Sequence, residues 1–449
     1  MKPEIFKAYD IRGVYPDQVN EDTAKRLGEV FAEEYCKKEV IIGHDARLSS
    51  GSLTKNLIRA LKRKGLSPTY IGLVSSDHFY VQCMSGKLPG VMVTASHNPP
   101  EYNGFKMISA EGLIIGKDSG MEKLKEKMQN IPTAHNVENN IRTIRRKTLN
   151  DFIGHLTRCV PTDSIGSFSV VIDAGNGAVG PCLEKLIPLY KNLNVIPLFW
   201  EPDGRFPNRG PDPLKRENRK TLESKVLKNK SYFGVSFDGD GDRVFVTDED
   251  GLFVPSDFLG SILAQYFLNI NSEETVVSDV TVSRALNSVV SKHKNARSIK
   301  ERVGHSFIKR TMRNEGSVLG VEKSGHFYFR DLYYADSGVL AMLYLLRYLT
   351  ERNTTLKEAV EPLRKKFFLT EQINISVDKD PVDILNSLKK YYGKEEIDCL
   401  DGVSITSPKW RAVVRSSNTE PVIRIVAEAS SQELLNERST ELVSIVKQS

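Results

Sequence analysis

Three aspartates at alternate positions, Asp238, Asp240 and Asp242, are separated only by Gly239 and Gly241 and are followed by Arg243. Carboxylates so spaced can fold around one hard cation, and the glycines permit the tight backbone this requires. A solvated acidic turn would have the same composition, but Val235-Ser236-Phe237 and Val244-Phe245-Val246 on either side are apolar runs that read as strands. An EF-hand loop would also place a carboxylate at Glu249. It fails because Arg243 stands where that loop needs glycine, and because its flanks should be helices. The spacing predicts Mg2+ held beside a phosphate.

Thr94-Ala95-Ser96-His97-Asn98-Pro99 follows the apolar Val91-Met92-Val93 directly. A serine on a polar turn at the end of a buried strand is expected to be presented rather than packed, although many such serines only shape the turn. No G-x-S-x-G elbow surrounds it, so a Ser-His-Asp hydrolase is not indicated. Arg415-Ser416-Ser417-Asn418-Thr419-Glu420-Pro421, with Arg424 beyond, gathers guanidinium, hydroxyl, amide and backbone N–H groups into one loop. That is a phosphate cradle in composition, and equally an ordinary polar turn between strands. In Glu322-Lys323-Ser324-Gly325-His326, Glu322 and Ser324 would point the same way on an extended segment and could grip vicinal sugar hydroxyls.

The elements that must carry these groups follow a repeating theme. Val40-Ile41-Ile42-Gly43-His44-Asp45, Val170-Val171-Ile172-Asp173 and Val276-Val277-Ser278-Asp279 are short β-branched runs ending in aspartate. Such runs, with helical patterns between them, predict buried parallel strands in α/β layers. Asn20 is placed to cap a helix with the stripe Ala24, Leu27, Val30 and Phe31, Ser256 or Asp257 begins another, and Ser430 with Glu433 fits a capping box. After about residue 365 the order changes to strand, helix from Pro381, and three strands, an α+β pattern. Boundaries are expected near 150, 254 and 365.

A chain of 449 residues is too long for one ordinary core, and 40% hydrophobic with 27% charged residues is the composition of a globular protein. The longest apolar-rich run, Val339 to Leu349, falls short of the roughly 20 residues that span a bilayer. The start, Met1-Lys2-Pro3-Glu4-Ile5-Phe6, has no signal-peptide core, so a cytoplasmic protein is expected, with no membrane partner. Five dispersed cysteines without a CxxC pair predict reduced, mostly buried thiols. A net charge of +6 with bases and acids interleaved, as in Glu122-Lys123-Leu124-Lys125-Glu126-Lys127, argues against nucleic acid and suits an anionic small molecule.

Taken together and in order, these segments resemble the α-D-phosphohexomutases, closest to the phosphomannomutase/phosphoglucomutase branch. The resemblance covers essentially the whole chain and adds Lys7-Ala8-Tyr9-Asp10-Ile11-Arg12-Gly13, Asn103-Gly104-Phe105-Lys106 and Val303-Gly304-His305-Ser306-Phe307-Ile308-Lys309. It implies three related mixed-sheet α/β domains plus a smaller C-terminal α+β domain around a central cleft. Residues 1–150 would carry a phosphoserine loop, 151–254 a metal loop, 255–365 a sugar-recognition loop and 366–449 a phosphate-binding loop.

The activity so implied moves a phosphoryl group between the 1- and 6-positions of mannose and/or glucose through phosphorylated Ser96. One Mg2+ would be held by Ser96, Asp238, Asp240 and Asp242, and hexose 1,6-bisphosphate would serve as intermediate and activator. By the same resemblance, Lys106, Arg243, His305 and His326 would act in catalysis, and His97 would order the serine loop. Lys106 would need a depressed pKa to accept a proton. Tyr9, Arg12, Glu322, Ser324, Arg415, Ser417, Asn418, Thr419 and Arg424 would bind the hexose phosphate. The expected state is a monomer or homodimer.

Two departures fall in the sugar-recognising segment. Val321 stands where a glycine usually precedes the glutamate, and Asp279-Val280-Thr281 lacks a lysine at its third position. The alternative reading is phosphoglucosamine mutase, against which Ser417-Asn418-Thr419, in place of Ser-Gly-Thr, favours the mannose/glucose branch. More distant alternatives are a serine-nucleophile metal phosphatase, for which eight scattered histidines give no evident second metal site, and an inactive sugar-phosphate sensor.

Overall fold

A computed structural model describes residues 1–131, 143–416 and 422–448. The chain forms two compact units: Met1–Val254 with Ser324–Leu356, and Pro255–Lys323 with Lys357–Ser449.

The first unit contains a sheet in the order Ile11–Val14, Tyr102–Ile108, Gly90–Val93, Glu39–His44, Ser67–Leu73, Ile144–Arg145. Glu39–His44 is parallel to both of its neighbours, while Tyr102–Ile108 runs antiparallel to Gly90–Val93 and Ile11–Val14. A second sheet has the order Phe253–Val254, Val244–Asp248, Phe233–Phe237, Phe168–Asp173, Leu193–Leu198, parallel in its last three strands and antiparallel in the first three. These are mixed sheets, as the resemblance implies, with antiparallel strands beside the parallel ones that the apolar runs predict. The helix Glu21–Tyr35 starts where Asn20 was expected to cap it, with the Asn20 side chain accepting from the N–H groups of Asp22 and Thr23. Leu27, Val30 and Phe31 then pack on Val40 and Ile42 in one buried cluster. Each such side chain contributes roughly 2 kcal/mol of burial.

In the second unit, Thr275–Asp279 lies parallel to and between Arg297–Glu301 and Leu319–Val321. The C-terminal sheet is antiparallel: Glu396–Asp398, Val403–Thr406, Trp410–Ser416, Val422–Ala429 and Phe368–Leu369 in order, with Ile373–Ser376 also paired to Val422–Ala429.

The recurring aspartate at strand ends has a local cause. Asp45 accepts from the Arg47 N–H, Asp173 from the Gly175 N–H and Asp279 from the Thr281 N–H, so each carboxylate organises a turn two residues on. Two expectations need correction. The final helix, Gln432–Gln448, is capped by Ser431 rather than Ser430, because it is the Ser431 hydroxyl that accepts the N–H of Leu434. The thiols are free, but only Cys83 and Cys182 are buried, and Cys399 is exposed. Among the described residues, no helix is long and apolar enough to cross a membrane.

Candidate active site

Strand Gly90–Val93 delivers Ser96 to the acidic loop of the neighbouring sheet. Ser96 takes the left-handed conformation (φ 50°), its N–H donates to Thr94 Oγ1 at 2.9 Å, and its Oγ donates to Asp238 Oδ2 at 2.8 Å. It is 1% exposed, so the expectation of a presented serine is wrong: the side chain is packed against the carboxylates. Gly239 permits the approach, since a Cβ there would stand 2.5 Å from the Ser96 carbonyl oxygen. His97 Nδ1 lies 3.3 Å from Ser96 Oγ, and burial, followed by Arg243 and Arg12, holds its imidazole well below the usual range.

Arg47, which the sequence reading did not single out, holds this loop. Its guanidinium donates to the carbonyls of Ser96 (2.8 Å), Asn98 (2.5 Å), Pro99 (2.6 Å) and Tyr102 (2.8 Å), and its Nε to Asp45 Oδ2 (3.1 Å). Asp45 in turn accepts from the hydroxyls of Ser50 and Thr94. Arg209 performs the matching task for the acidic loop, pairing with Asp173 and donating to the Phe237 carbonyl at 2.8 Å. Arg47→Met leaves Asp45 as an uncompensated buried charge and frees four carbonyls, so stability falls by about 3–5 kcal/mol. Arg47→Lys recovers only part of this, because an ammonium cannot reach the fork of acceptors. Urea unfolding checks both, and a methionine variant as stable as the parent would refute the assignment.

Asp238, Asp240 and Asp242 form the connection between Phe233–Phe237 and Val244–Asp248, where Phe237 pairs with Val244. All three are at most 1% exposed, and one oxygen from each lies within 4.8 Å of the others. The N–H groups of Gly241 and Arg243 donate to Asp238 Oδ1. Ser76 Oγ and Lys106 Nζ donate to Asp240 Oδ2 at 2.7 and 2.8 Å, and Lys106 also pairs with Asp242. Asp240 Oδ1 is buried with no hydrogen bond. Asp242 Oδ1 is orphaned in the same way, and three converging carboxylates, two of them with an unbonded buried oxygen, fit a divalent cation.

Burial, then Asp242 and Asp240, push the Asp238 carboxyl up. Burial pulls Lys106 down, but Asp240 and Asp242 outweigh it and hold the ammonium well above its usual range. That is opposite to the direction a proton-accepting lysine needs while both carboxylates face it.

Arg243 Nε donates to His326 Nε2 at 3.2 Å, and His326 Nδ1 is 2.8 Å from Ser324 Oγ. Because an arginine Nε–H only donates, Nε2 is the acceptor and the ring proton sits on Nδ1, donated to Ser324. Asp336 joins Asp242 and His326 in a second close group that the sequence did not suggest. Arg12 pairs with Asp10 and donates to Asn98 Oδ1 at 2.6 Å, which ties the N-terminal segment bearing the half-buried Tyr9 to the serine loop.

In the second unit, Glu322 is buried and accepts from the Gly304 N–H at 2.9 Å, beside His305 at the start of helix His305–Glu315. Burial and then Glu322 push the Asp279 carboxyl up to about 6. The same-face argument for Glu322 and Ser324 fails, because residues 323–325 form a turn and a bend with Gly325 at φ 91°. Arg415 and Arg424 are direct cross-strand partners. Ser417, Asn418 and Thr419 lie outside the described residues.

Four segments match the family description "Phosphoglucomutase/phosphomannomutase": alpha/beta/alpha domains I, II and III over residues 3–135, 150–251 and 255–367, and the C-terminal domain over 373–444. "Phosphohexose mutases" of Xanthomonas campestris pv. campestris (strain B100) is 36% identical over 444 residues, covering 98% of each chain. "Phosphomannomutase" of Escherichia coli (strain K12) is 33% identical over 449 residues, again with 98% of each chain covered. A crystal structure of a phosphoglucomutase/phosphomannomutase family protein from Burkholderia thailandensis superposes with a TM-score of 0.88 at 28% identity, over 100% of this chain and 98% of that one. Ser96, the three aspartates, Glu322 and Arg415 fall one group to each matched segment, and the chain belongs to the phosphoglucomutase/phosphomannomutase family as an isomerase, a phosphohexose mutase.

Proposed function

We propose that the protein interconverts hexose 1-phosphate and hexose 6-phosphate, of mannose and/or glucose, with Ser96 as the phosphoryl carrier. The observation that carries this reading is Ser96 Oγ at 2.8 Å from Asp238 inside a buried carboxylate trio. A phosphoryl group on that oxygen adds roughly two negative charges at neutral pH. Three carboxylates already face it, with Lys106 and Arg243 opposing them among the described residues, so the site calls for a further cation. Mg2+, held by Asp238, Asp240, Asp242 and an oxygen on Ser96, would withdraw charge from the transferring group.

The substrate's 6-hydroxyl attacks the phosphorus, the bond to Ser96 Oγ breaks, and the hydroxyl proton passes to His305 or His326, while Lys106 stays charged beside Asp240 and Asp242. Arg243 sits beside Asp238 and supplies positive charge at the reacting end. The resulting 1,6-bisphosphate reverses, and Ser96 recovers a phosphoryl group from the 1-position. Ser324, which accepts from His326, donates its O–H to a sugar hydroxyl, and Glu322 accepts from another. Tyr9 and Arg12 line the reacting end. Arg415 and Arg424, with the loop 417–419, grip the phosphate that is not being transferred. Their cross-strand register puts two guanidinium-bearing residues on one face of the sheet, which supports this assignment. The division at 150, 254 and 365 goes with it, one loop to each part.

Curated relatives above 30% identity bear phosphomannomutase or phosphohexose mutase names, which favours mannose and glucose over glucosamine. Steady-state assays with mannose, glucose and glucosamine 1-phosphates, run alongside phosphate release, test the reading. Isomer formation from one of the first two should exceed release of inorganic phosphate by at least about a hundredfold, since a mutase must keep water from the phosphoserine. Phosphate release as the faster process would make the enzyme a phosphatase.

A further inference from the structure

Asp401 precedes strand Val403–Thr406 and belongs to none of the loops considered so far. Its Oδ2 accepts from the Val303 N–H at 2.9 Å and lies 3.4 Å from Arg415 Nη1. The next N–H along that loop, of Gly304, is the one that Glu322 accepts. One carboxylate oxygen is therefore shared between the arginine of the C-terminal loop and the backbone that leads into His305.

The turn is built for this contact. Gly402 has φ 80°, and a Cβ on it would stand 2.3 Å from the Val414 carbonyl oxygen and 2.7 Å from Arg415 Cβ. Only glycine lets the turn lie flat on the Arg415 strand, and this closeness brings the neighbouring carboxylate to the guanidinium. The Arg415 side chain is 7% exposed and that of Asp401 21%, so the pair is enclosed on the arginine side and open to water on the other.

We propose that Asp401 is a positioning residue for phosphate binding: it orients the Arg415 guanidinium and ties it to the Val303–His305 loop. The inference rests on reading Arg415 as a phosphate ligand. An arginine whose fork is fixed beforehand loses less freedom when a phosphate arrives, so the effect falls on substrate binding. A phosphate that is not transferred is held alike in the ground and transition states, so KM carries the change and kcat does not.

Asp401→Asn and Asp401→Ala, each in the Arg415 and Arg415→Ala backgrounds, test this with the hexose 1-phosphate that turns over fastest. Asparagine keeps an acceptor for the Val303 N–H and removes only the charge. Both Asp401 variants should raise KM about fivefold to tenfold with kcat within about twofold, and should add nothing once Arg415 is alanine. An asparagine variant with the parent KM, alongside an impaired alanine variant, would mean that Asp401 only holds a loop, and the inference falls. If Arg415→Ala leaves KM unchanged, Arg415 is no phosphate ligand, and that reading falls first.

Discussion

Ser96→Ala lowers mutase turnover by at least about ten-thousandfold while the protein stays folded. The substitution removes one hydroxyl whose bond in the folded chain is to Asp238 Oδ2. Asp238 keeps the N–H groups of Gly241 and Arg243 on its other oxygen, so the loss is that bond and the 3.3 Å contact with His97, and stability changes by about 1–2 kcal/mol. The left-handed backbone at this position costs alanine about as much as serine, so the loop keeps its shape under the Arg47 guanidinium. Turnover falls because no other hydroxyl in the trio's reach can carry the phosphoryl group: Thr94 donates to Asp45, and Ser76 is occupied by Asp240. Intact-mass measurement should find one phosphate on the active parent and none on the variant. An alanine enzyme that turns over normally would remove Ser96 from the mechanism.

The parts of this site that could be read from sequence are those whose chemistry is local. Asp238, Asp240 and Asp242 come from one five-residue stretch between two strands, so spacing alone brings their oxygens together. Each Asp-ended strand is legible for the same reason, since its carboxylate acts two residues away. Arg47 was invisible because its partners are carbonyls 49 to 55 residues along the chain, and a carbonyl leaves no mark in a sequence. Its one signal is that it stands two residues after the strand-ending Asp45. The serine loop was found but its burial was not, because a polar turn after a strand looks the same whether it faces water or a second polar loop. At Glu322 the reading went wrong through geometry: alternation was assumed where the chain turns, although Gly325 between Ser324 and His326 was a cue that the extended run does not continue.

The acidic trio sets function against stability, and this gives the second large effect. Three buried carboxylates within 4.8 Å repel one another, with Lys106 and Arg243 neutralising only part of the charge. Asp238→Asn relieves that repulsion and keeps an oxygen for the N–H groups of Gly241 and Arg243, so the metal-free variant should melt at a higher temperature than the metal-free parent. Its turnover should nevertheless fall at least about a thousandfold, because the ligand nearest the transferring group has lost its charge. Chelation should abolish the parent's activity and Mg2+ should restore it. Free Mg2+ at a hundredfold its dissociation constant should also raise the parent's stability by about 2.7 kcal/mol and leave the variant unmoved. The two readouts move in opposite directions, which distinguishes a cation site from a structural cluster. A structural cluster would lose stability on Asp238→Asn and show no response to Mg2+ in either protein.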